Sequence, residues 1–589
     1  MQLTPEQQAI IQTDSNLVIN AVAGSGKTTT LIAYAKSRPA SAKILYLAFN
    51  KTVKTEAAEK FAAAGCAHVK VETAHSLAFD HIVKRSNYKV LPGYSSYEWC
   101  QLLGIVTGDR HADFIIAGHV NKFISFFCNS RAGKVQELDY AGTINDDKAR
   151  VFVKNFYPLI EGFTRSALAK MDKAEIAVTH DFYLKKFQLS RPVLNYDYIL
   201  FDEGQDASAA MLDVFLHQNA VKIIVGDAQQ QIYGWRYAIN SLQQADFPVY
   251  HLSNSFRFNE EIALIANKIL AWKIQLQQLP GVKIIGAGKH PPGNITKATL
   301  GRTNLGLLLN AITQWQQGQV KKIYFEGNIN SYTFADEGAS LYDILHLHNG
   351  KTDKIKDRLI AEMKDMKELQ DYIEKTEDKS LGMIVDVVKE FGNRLPQLIQ
   401  ELKNNHAAGK EEADMIFSTV HRCKGMEYDE VTLLNDFITE EKLQKYIAQQ
   451  GGEKINVIEK NRLGEEVNIL YVAVTRAKKL LKIPPEINPL TSLQLINNQP
   501  APPILPKRYS GKTAAPETRE YYEPLKHKKS GAGGSSNHGK KWSAEDENDL
   551  QHLYSDGTSM KDMAKQLGRG INGIRYKLQE MGLLEEGGY

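Results

Sequence analysis

The sequence AVAGSGKT at residues 21–28 decides the fold, because it has the composition and spacing of a loop that wraps around phosphate groups. The apolar run NLVIN at 16–20 precedes it, and TTLIAYA at 29–35 has the character of a helix. Glycines let backbone N–H groups turn towards phosphate oxygens, and the N-terminus of the helix adds partial positive charge. Ala21 departs from the usual G-x-x-x-x-G-K-[ST] pattern, where the first glycine belongs. The stretch predicts an α/β domain in which Lys27 contacts the β- and γ-phosphates of a nucleotide and Thr28 binds Mg²⁺.

A second motif, DEGQD at residues 202–206, follows another apolar strand, YILF at 198–201. Open α/β sheets bind ligands at the carboxyl ends of their strands, so both carboxylates of this motif should face the nucleotide. Asp202 suits the Mg²⁺ shell, and Glu203 is placed to polarise the attacking water. The two motifs together predict hydrolysis of ATP, with ATP and Mg²⁺ as cofactors.

Composition sets the outer limits of the interpretation. With 589 residues, of which 43% are hydrophobic, the chain is long enough for several domains with cores of their own. The net charge is only +4, so any nucleic-acid site must be local. The four cysteines lack C-x-x-C spacing, which argues against a zinc or iron–sulfur site and for a reducing compartment. Neither a signal peptide nor a membrane-spanning run is apparent, so we expect a soluble, intracellular protein.

Further motifs carry a family resemblance. The strand VKIIV at 221–225 leads into GDAQQQIYGWR at 226–236, which resembles the third motif of superfamily 1 DNA helicases of the UvrD/Rep/PcrA type. The other motifs of that family follow in order across about residues 1–485, and the FNK form of the first DNA-contacting motif is closer to the F-box DNA helicase branch. They are LTPEQ at 3–7, AFNK at 48–51, TAHSL at 73–77, LSNSFR at 252–257, TVHRCKGMEYD at 419–429 and EEVNILYVAVTRA at 465–477.

The motifs and this resemblance assign the site residues. In the family, ATP lies between two RecA-like domains, and arginines of the second domain reach the γ-phosphate. The predicted catalytic residues are Lys27, Glu203, Gln230, Arg257 and Arg476. The predicted nucleotide-binding residues are Gln7, Ala23, Gly24, Ser25, Gly26, Lys27, Thr28, Thr29, Gly425 and Glu427, and the predicted metal ligands are Thr28 and Asp202.

Contacts to a single strand of DNA should combine phosphate contacts with base stacking, which accepts any sequence. Trp235 is the predicted stacking residue, although an aromatic side chain at this place can also be ordinary core. For His75 and His421 the alternative is a hydrogen-bonded structural histidine. The predicted DNA-binding residues are Phe49, Asn50, His75, Tyr233, Trp235, Thr419 and His421.

The alternation of apolar strands and amphipathic helices predicts an α/β fold. The resemblance implies two RecA-like P-loop NTPase domains, each interrupted by a helical insertion. The predicted boundaries are 1–84 and 195–248 for the first RecA-like domain, 85–194 for its insertion, 249–327 and 412–487 for the second RecA-like domain, and 328–411 for its insertion.

The C-terminal part differs in composition. Residues 488–540 are rich in Pro, Gly, Ser and basic side chains and are predicted to form a flexible linker. Residues 541–585 resemble a Myb/SANT-like helix-turn-helix module of three short helices. In such a module Arg569, Arg575 and Lys577 would face DNA, and recognition of a protein partner is the alternative.

The resemblance implies an ATP-dependent DNA helicase or translocase that moves 3′ to 5′ on single strands, in DNA repair, recombination or replication. Its partners would be single-stranded and tailed duplex DNA, with no membrane. Two alternatives remain open: a translocase that removes proteins from DNA without processive unwinding, and the motor subunit of a nuclease or defence complex. The expected location is cytoplasmic and nucleoid-associated in a prokaryote or virus, and nuclear in a eukaryote.

Overall fold

The computed structural model describes residues 3–234, 237–279, 281–290, 295–327, 329–332, 334, 339–449 and 457–490, and isolated positions between 550 and 578. The chain divides into two compact units, Met1–Asn497 and Asn498–Tyr589. Both predicted RecA-like domains and both insertions fall in the first unit.

The first sheet has six strands in the order β3-β2-β4-β5-β1-β6, and all neighbouring strands are parallel. Central strands such as β2 are apolar and buried on both faces, as parallel sheets covered by helices require. Because β4, β5 and β1 are neighbours, the segments that leave their carboxyl ends meet at one edge. The strands are β1 (Leu17–Ala21), β2 (Ile44–Ala48), β3 (Val69–Thr73), β4 (Tyr198–Phe201), β5 (Val221–Gly226) and β6 (Val249–Leu252).

The strand β6 corrects one predicted boundary. The predicted end of the first RecA-like domain is residue 248, but β6 pairs with β1 from Val18↔Val249 to Ala21↔Leu252. The sheet needs this strand to cover the outer edge of β1, so the first domain extends to residue 252.

Helices flank the first sheet and form its insertion. Before the insertion the chain forms α1 (Pro5–Gln12), α2 (Lys27–Lys36), α3 (Lys51–Ala63) and α4 (Ala74–His81). The insertion consists of α5 (Ser96–Leu103), α6 (Arg110–Asn129), α7 (Asp147–Asp172) and α8 (His180–Leu189), and α9 (Ala209–Leu216) and α10 (Ser241–Gln244) complete this first lobe. The helix α6 is buried along most of its length because α5, α7 and α8 surround it.

The second lobe contains a parallel sheet of five strands in the order β10-β11-β9-β12-β13. A short parallel pair, β7 (Asn254–Ser255) with β8 (Ile285–Gly286), precedes this sheet along the chain. The larger sheet is built from β9 (Lys297–Gly301), β10 (Ile323–Phe325), β11 (Met415–Thr419), β12 (Tyr428–Leu433) and β13 (Ala477–Lys482).

Helices surround this sheet as well. The helices α11 (Glu260–Ala271) and α12 (Asn304–Gln316) precede the second insertion, which consists of α13 (Leu341–His348), α14 (Arg358–Ala361), α15 (Met366–Thr376), α16 (Lys379–Phe391) and α17 (Leu395–Asn404). After the insertion come α18 (Glu440–Gln449) and α19 (Val457–Val474). The architecture is the predicted mixed α/β fold with parallel sheets. In the parts of the chain described above, no helix combines the length and apolarity that crossing a membrane requires.

The second compact unit contains the predicted C-terminal module. Its described residues form a small apolar cluster, made of Leu550, Met563, Ala564, Leu567, Ile574 and Leu578. Lys577 is buried, not exposed as a DNA-facing residue would be. Arg569, Arg575 and most of the predicted linker and helices lie outside the described residues, so the Myb/SANT-like module stays a prediction.

Candidate active site

The loop between β1 and α2 has the geometry of a phosphate cradle. Gly24 and Gly26 have φ of 74° and 79°, the left-handed region that favours glycine. A Cβ on Gly24 would lie 2.5 Å from Cβ of Arg257, so this close approach of the second lobe requires a glycine. Between them, the hydroxyl of Ser25 is buried and has no hydrogen-bond partner among the described residues. Ala21 still belongs to β1 and pairs with Leu252, which explains why the glycine of the usual pattern is not needed there.

Gln7 is fixed against the same loop. Its Nε2 donates to the Thr30 hydroxyl at 3.0 Å, and its Oε1 accepts from the backbone N–H of Thr4 at 3.0 Å. Thr4 and Gln7 form a capping box, so α1 begins at a place that holds the amide beside the loop. A Cβ on Gly26 would lie 3.4 Å from Gln7 Nε2. Gln7 therefore lies beside the phosphate loop.

The Lys27 ammonium lies against the carboxylates of the second motif. Its Nζ is 3.2 Å from Glu203 Oε1. Burial lowers the pKa of Lys27, but the charges of Glu203, Asp202 and Asp227 outweigh burial and raise it above the ordinary value. Burial alone would raise the pKa of Glu203, and Lys27 and Lys424 reverse that effect, so Glu203 has a lowered pKa. Both groups are therefore charged at neutral pH.

The predicted metal ligands Thr28 and Asp202 both contact the hydroxyl of Tyr46, a residue of β2. Tyr46 donates a short hydrogen bond to Asp202 Oδ2 and also interacts with the Thr28 hydroxyl. The other Asp202 oxygen accepts from the backbone N–H of Glu203 at 2.9 Å. One carboxylate and one hydroxyl beside a phosphate loop are the kind of oxygen ligands with which Mg²⁺ completes its shell from water and nucleotide. These residues thus fit Mg²⁺–ATP, and within the described ranges no cluster of His, Cys, Asp and Glu offers a separate metal site.

Glu203 has an unusual backbone. Its φ of 53° lies in the left-handed region, a costly conformation for a residue with a side chain and one that concentrates at functional sites. Gln205 holds the carboxylate, because its Nε2 donates to Glu203 Oε2 at 2.5 Å while its Oε1 accepts from the N–H of Asp227 at 3.1 Å. The second and third motifs are therefore joined directly next to the carboxylate predicted to polarise water.

The two predicted arginines reach this site from the second lobe. Nη2 of Arg476 lies 3.5 Å from Oε1 of Gln230, the third-motif glutamine, whose Nε2 donates to Asp227 at 2.9 Å. Burial lowers the pKa of Arg476 to about 10, so the guanidinium remains charged at neutral pH. Arg257 lies beside Gly24 and donates to Glu427 at 2.8 Å. The structure thus brings the arginines of one lobe to the phosphate loop and the third motif of the other.

The remaining predicted nucleotide residues lie around the same loop. The backbone N–H of Ala23 donates to the hydroxyl of Tyr471, a residue of α19, at 3.4 Å. Thr29 is exposed in the first turn of α2. Gly425 has φ of 89° and open space around its α-carbon, and Glu427 reaches the loop through its ion pair with Arg257.

Several of the predicted DNA-contacting side chains form an aromatic group next to the nucleotide site. The rings of Phe49 and Tyr233 stack with centroids 5.9 Å apart, and His421 of the second lobe lies 6.1 Å from Tyr233. Tyr233 also donates to the backbone carbonyl of His421 at 3.0 Å. Burial, followed by the charge of Arg302, lowers the pKa of His421 to about 4, so this imidazole is neutral at physiological pH. We call Phe49, Tyr233 and His421 the aromatic group.

The other predicted DNA contacts lie elsewhere. Asn50 is exposed and caps α3 by accepting from the N–H of Val53. His75 lies against His180 and Tyr183 of α8. Thr419 is buried, and its carbonyl accepts the N–H groups of Arg422 and Cys423. Trp235 lies outside the described residues.

Sequence reasoning missed several residues, one of them in the strand β2 and the others inside motifs that it had recognised. They share a polar group buried at the junction of the motifs, and the only local signal is a polar side chain in an otherwise apolar or glycine-rich stretch. They are Tyr46, Gln205, Asp206, Lys424 and Tyr471.

Comparisons with known proteins identify two matching family models and several similar sequences. The family model of the UvrD/REP helicase N-terminal domain matches residues 3–246, and that of the UvrD-like helicase C-terminal domain matches residues 308–484. F-box DNA helicase 1 of Gallus gallus is 30% identical over 84% of this chain and 50% of that protein. F-box DNA helicase protein 1 of Schizosaccharomyces pombe is 28% identical over 84% of the chain and 58% of that protein, and ATP-dependent DNA helicase PcrA of Bacillus subtilis is 26% identical over 45% and 39%. The chain thus spans about half the length of the F-box relatives.

Proposed function

Because this chain belongs to the UvrD-like helicase family, we propose that it is an ATP-dependent DNA helicase that moves along single-stranded DNA. The observation that carries the proposal is the junction of the lobes. Arg257 of the second lobe lies against the phosphate loop of the first, and Arg476 lies against Gln230. Tyr233 of the aromatic group follows Gln230 by three residues. One contact region therefore joins a triphosphate site to a stacking site.

Each residue of the nucleotide site has its own role in hydrolysis. The loop amides and Lys27 bind the phosphates, and Glu203 orients and polarises the attacking water. Thr28 and Asp202 would hold Mg²⁺, which neutralises charge on the phosphates. Arg257 and Arg476 stabilise the charge that shifts towards the leaving group, and they do so only when the lobes are together. A γ-phosphate in the loop would compete with Glu203 for the Lys27 ammonium, which would release the carboxylate for its role with water.

Movement on DNA follows from that dependence on both lobes. ATP binds the closed arrangement better than the open one, so binding and hydrolysis shift the population between the two. Phe49 and Tyr233 belong to the first lobe and His421 to the second, so closure changes the spacing of groups that stack on bases. Repeated closure thereby becomes stepwise movement. We propose the 3′ to 5′ direction and a place in DNA repair, recombination or replication from the family alone.

A strand-displacement assay tests the proposal. Duplexes with a 3′ tail and with a 5′ tail are compared with and without ATP, and the Lys27→Ala variant serves as the inactive control. We expect ATP-dependent displacement from the 3′-tailed duplex and none from the 5′-tailed one. Displacement that favours the 5′ tail would contradict the direction. ATP hydrolysis that no DNA stimulates would contradict the function itself.

A second substrate separates the alternatives. A protein-coated single strand without duplex reports removal of bound protein independently of unwinding. A chain that clears the strand but leaves the tailed duplex intact is a translocase rather than a helicase. Co-purification with a nuclease would point to a motor subunit.

A further inference from the structure

Lys424 reaches from the second lobe into the catalytic motifs of the first. It lies in the turn between β11 and β12, and its side chain is only 9% exposed. Its Nζ forms a short ion pair with Asp206 Oδ2 and donates to the backbone carbonyl of Gln230 at 2.7 Å. One ammonium group therefore touches both the DEGQD turn and the third motif.

The ion pair continues to the carboxylate that would polarise water. Nε2 of Gln205 lies 3.2 Å from Asp206 Oδ2 and 2.5 Å from Glu203 Oε2. Gln205 can occupy this place because residue 226 is glycine, since a Cβ there would come within 2.1 Å of Gln205 Oε1. The position of the Glu203 carboxylate is thus linked, through Gln205 and Asp206, to a residue of the other lobe.

The same ammonium lies over the aromatic group. Nζ of Lys424 is 4.8 Å from the ring centroid of Tyr233, within the range of a cation–π contact. Tyr233 stacks on Phe49 and contacts His421. A base that stacks on the aromatic group would therefore be in a position to displace the Tyr233 ring, which Lys424 contacts.

A contribution to folding stability does not explain why the ion pair between Lys424 and Asp206 is buried here. Asp206 is fully buried, and its second oxygen, Oδ1, finds no hydrogen bond within the described parts of the chain. Burial raises the pKa of Asp206 to about 6, against the opposing charge of Lys424. Removing two charges from water usually offsets what their attraction contributes, so a buried pair of this kind adds little net stability.

We propose that Lys424 is a positioning residue that couples DNA contact at Tyr233 to the orientation of the Glu203 carboxylate through Asp206 and Gln205. The inference rests on the proposed function, because it requires that DNA stimulates ATP hydrolysis. The inference goes beyond the proposed function because it names the contacts through which the second lobe aligns the Glu203 carboxylate. DNA contact shifts Lys424, and the hydrogen-bonded chain passes that shift to Glu203.

The test compares Lys424→Met with the unaltered full chain. Methionine keeps the length of the side chain and removes its charge. We expect the DNA-stimulated kcat for ATP to fall about 100-fold, as displacement of a catalytic group by about 1 Å can cause. The KM for ATP and the affinity for a fluorescent ATP analogue should stay within about threefold, because the phosphate loop is untouched. Lys424→Arg should recover part of the lost kcat.

The controls separate coupling from a general loss of structure. Lys445→Met removes a lysine of α18 whose ion pair with Glu441 is exposed to solvent and involves neither motif, and it should leave every rate unchanged. Asp206→Asn should reproduce the loss of kcat, and it carries the test if Lys424→Met does not fold. The double variant should be no slower than the slower single variant, because both changes break one chain of contacts.

The outcomes are distinct. If the unaltered chain shows no stimulation by single-stranded DNA, the proposed function fails and this inference fails with it. If the unaltered chain is stimulated and Lys424→Met retains that stimulation, only the inference is overturned. A parallel loss of nucleotide affinity in the folded variant would also overturn it, because Lys424 would then support the site as a whole.

Discussion

Lys27 is the residue on which nucleotide binding depends most directly. Its ammonium is held among the charges of Glu203, Asp202 and Asp227, and its raised pKa keeps it protonated across the physiological range. Lys27→Ala should abolish ATP hydrolysis, because the charge facing the phosphates is lost. A steady-state ATPase assay with single-stranded DNA measures this. Retained DNA-stimulated hydrolysis in the variant would contradict the assignment of the site.

Tyr46 should govern how well the site holds its metal. Its hydroxyl donates to Asp202 and interacts with the Thr28 hydroxyl, so Tyr46→Phe removes the group that contacts both predicted ligands while keeping the ring in β2. Loss of an outer-shell hydrogen bond typically weakens metal binding about 10- to 100-fold. Titration with Mn²⁺ in the presence of a non-hydrolysable nucleotide, followed by electron paramagnetic resonance, measures this affinity. Tyr34→Phe, a hydroxyl change on α2 in the same lobe, is the matched control, and equal Mn²⁺ affinity in both variants would exclude this role of Tyr46.

Phe49 carries the stacking prediction. The residue is 37% exposed and its ring already stacks on Tyr233, so a base can add to the same stack. Phe49→Ala should cost about 1–3 kcal/mol of single-strand affinity, the usual contribution of one stacked base. Because every base has a π-face, oligo-dT and oligo-dA should weaken alike in a fluorescence anisotropy titration. A loss confined to one sequence would indicate base reading instead of stacking.

At the scale of elements, α19 joins the lobes along one face. Glu465, Asn468 and Tyr471 recur every three residues, so their side chains share a side of the helix. Glu465 accepts from the N–H of Gly234 at 3.0 Å, Asn468 donates to the carbonyl of Gln231 at 2.8 Å, and Tyr471 donates to Asp227 at 2.7 Å. A single rigid helix therefore contacts the whole segment between the nucleotide site and the aromatic group.

Tyr471→Phe should weaken that connection without unfolding the helix. The variant loses the hydrogen bond to Asp227 and the contact with the N–H of Ala23, while the ring stays buried. We expect the DNA-stimulated kcat to fall about 10-fold, equivalent to about 1.4 kcal/mol for a hydrogen bond to a charged group. Tyr446→Phe on α18 is the control. Unchanged stimulation in Tyr471→Phe would mean that the remaining contacts of α19 are sufficient.

Local motifs could be predicted from the sequence, whereas contacts between residues distant in the chain could not. The phosphate loop, the DEGQD strand end and the third motif could be predicted because each is a local pattern with a fixed chemical purpose. Tyr46 and Lys424 could not, because their partners lie 156 and 218 residues away in the chain. The predicted domain boundary at residue 248 left β6 out of the first domain, because VYHL resembles any short strand and only its pairing with β1 decides which sheet it joins.

At the scale of the whole molecule, the two insertions are in direct contact. His119 of α6 bonds the backbone carbonyl of Lys375 at 2.7 Å, and Lys122 donates to the carbonyls of Thr376 and Glu377 at the end of α15. Glu377 in turn accepts from the backbone N–H of Asn145 at 2.8 Å. The insertions therefore add a contact between the lobes that is separate from the nucleotide site. A sequence read motif by motif gave no sign of the second contact, since neither partner belongs to a recognised pattern.

This second contact should weaken in acid. Burial lowers the pKa of His119 to about 3, whereas an unfolded histidine has a pKa of about 6.5. Between these values the unfolded chain binds a proton that the folded chain does not, so the stabilisation is complete above about pH 6.5 and declines as the pH falls. The loss of folding stability can reach about 1.4 kcal/mol per pH unit, or about 2 kcal/mol at pH 5.

His119→Gln keeps a donor for the Lys375 carbonyl and cannot take up the proton. Its thermal unfolding midpoint should therefore fall less between pH 7 and pH 5 than that of the unaltered chain. His217→Gln, a change at an exposed histidine, should follow the unaltered chain. If His119→Gln shows the same acid sensitivity as His217→Gln, the contact between the insertions is not what acid weakens.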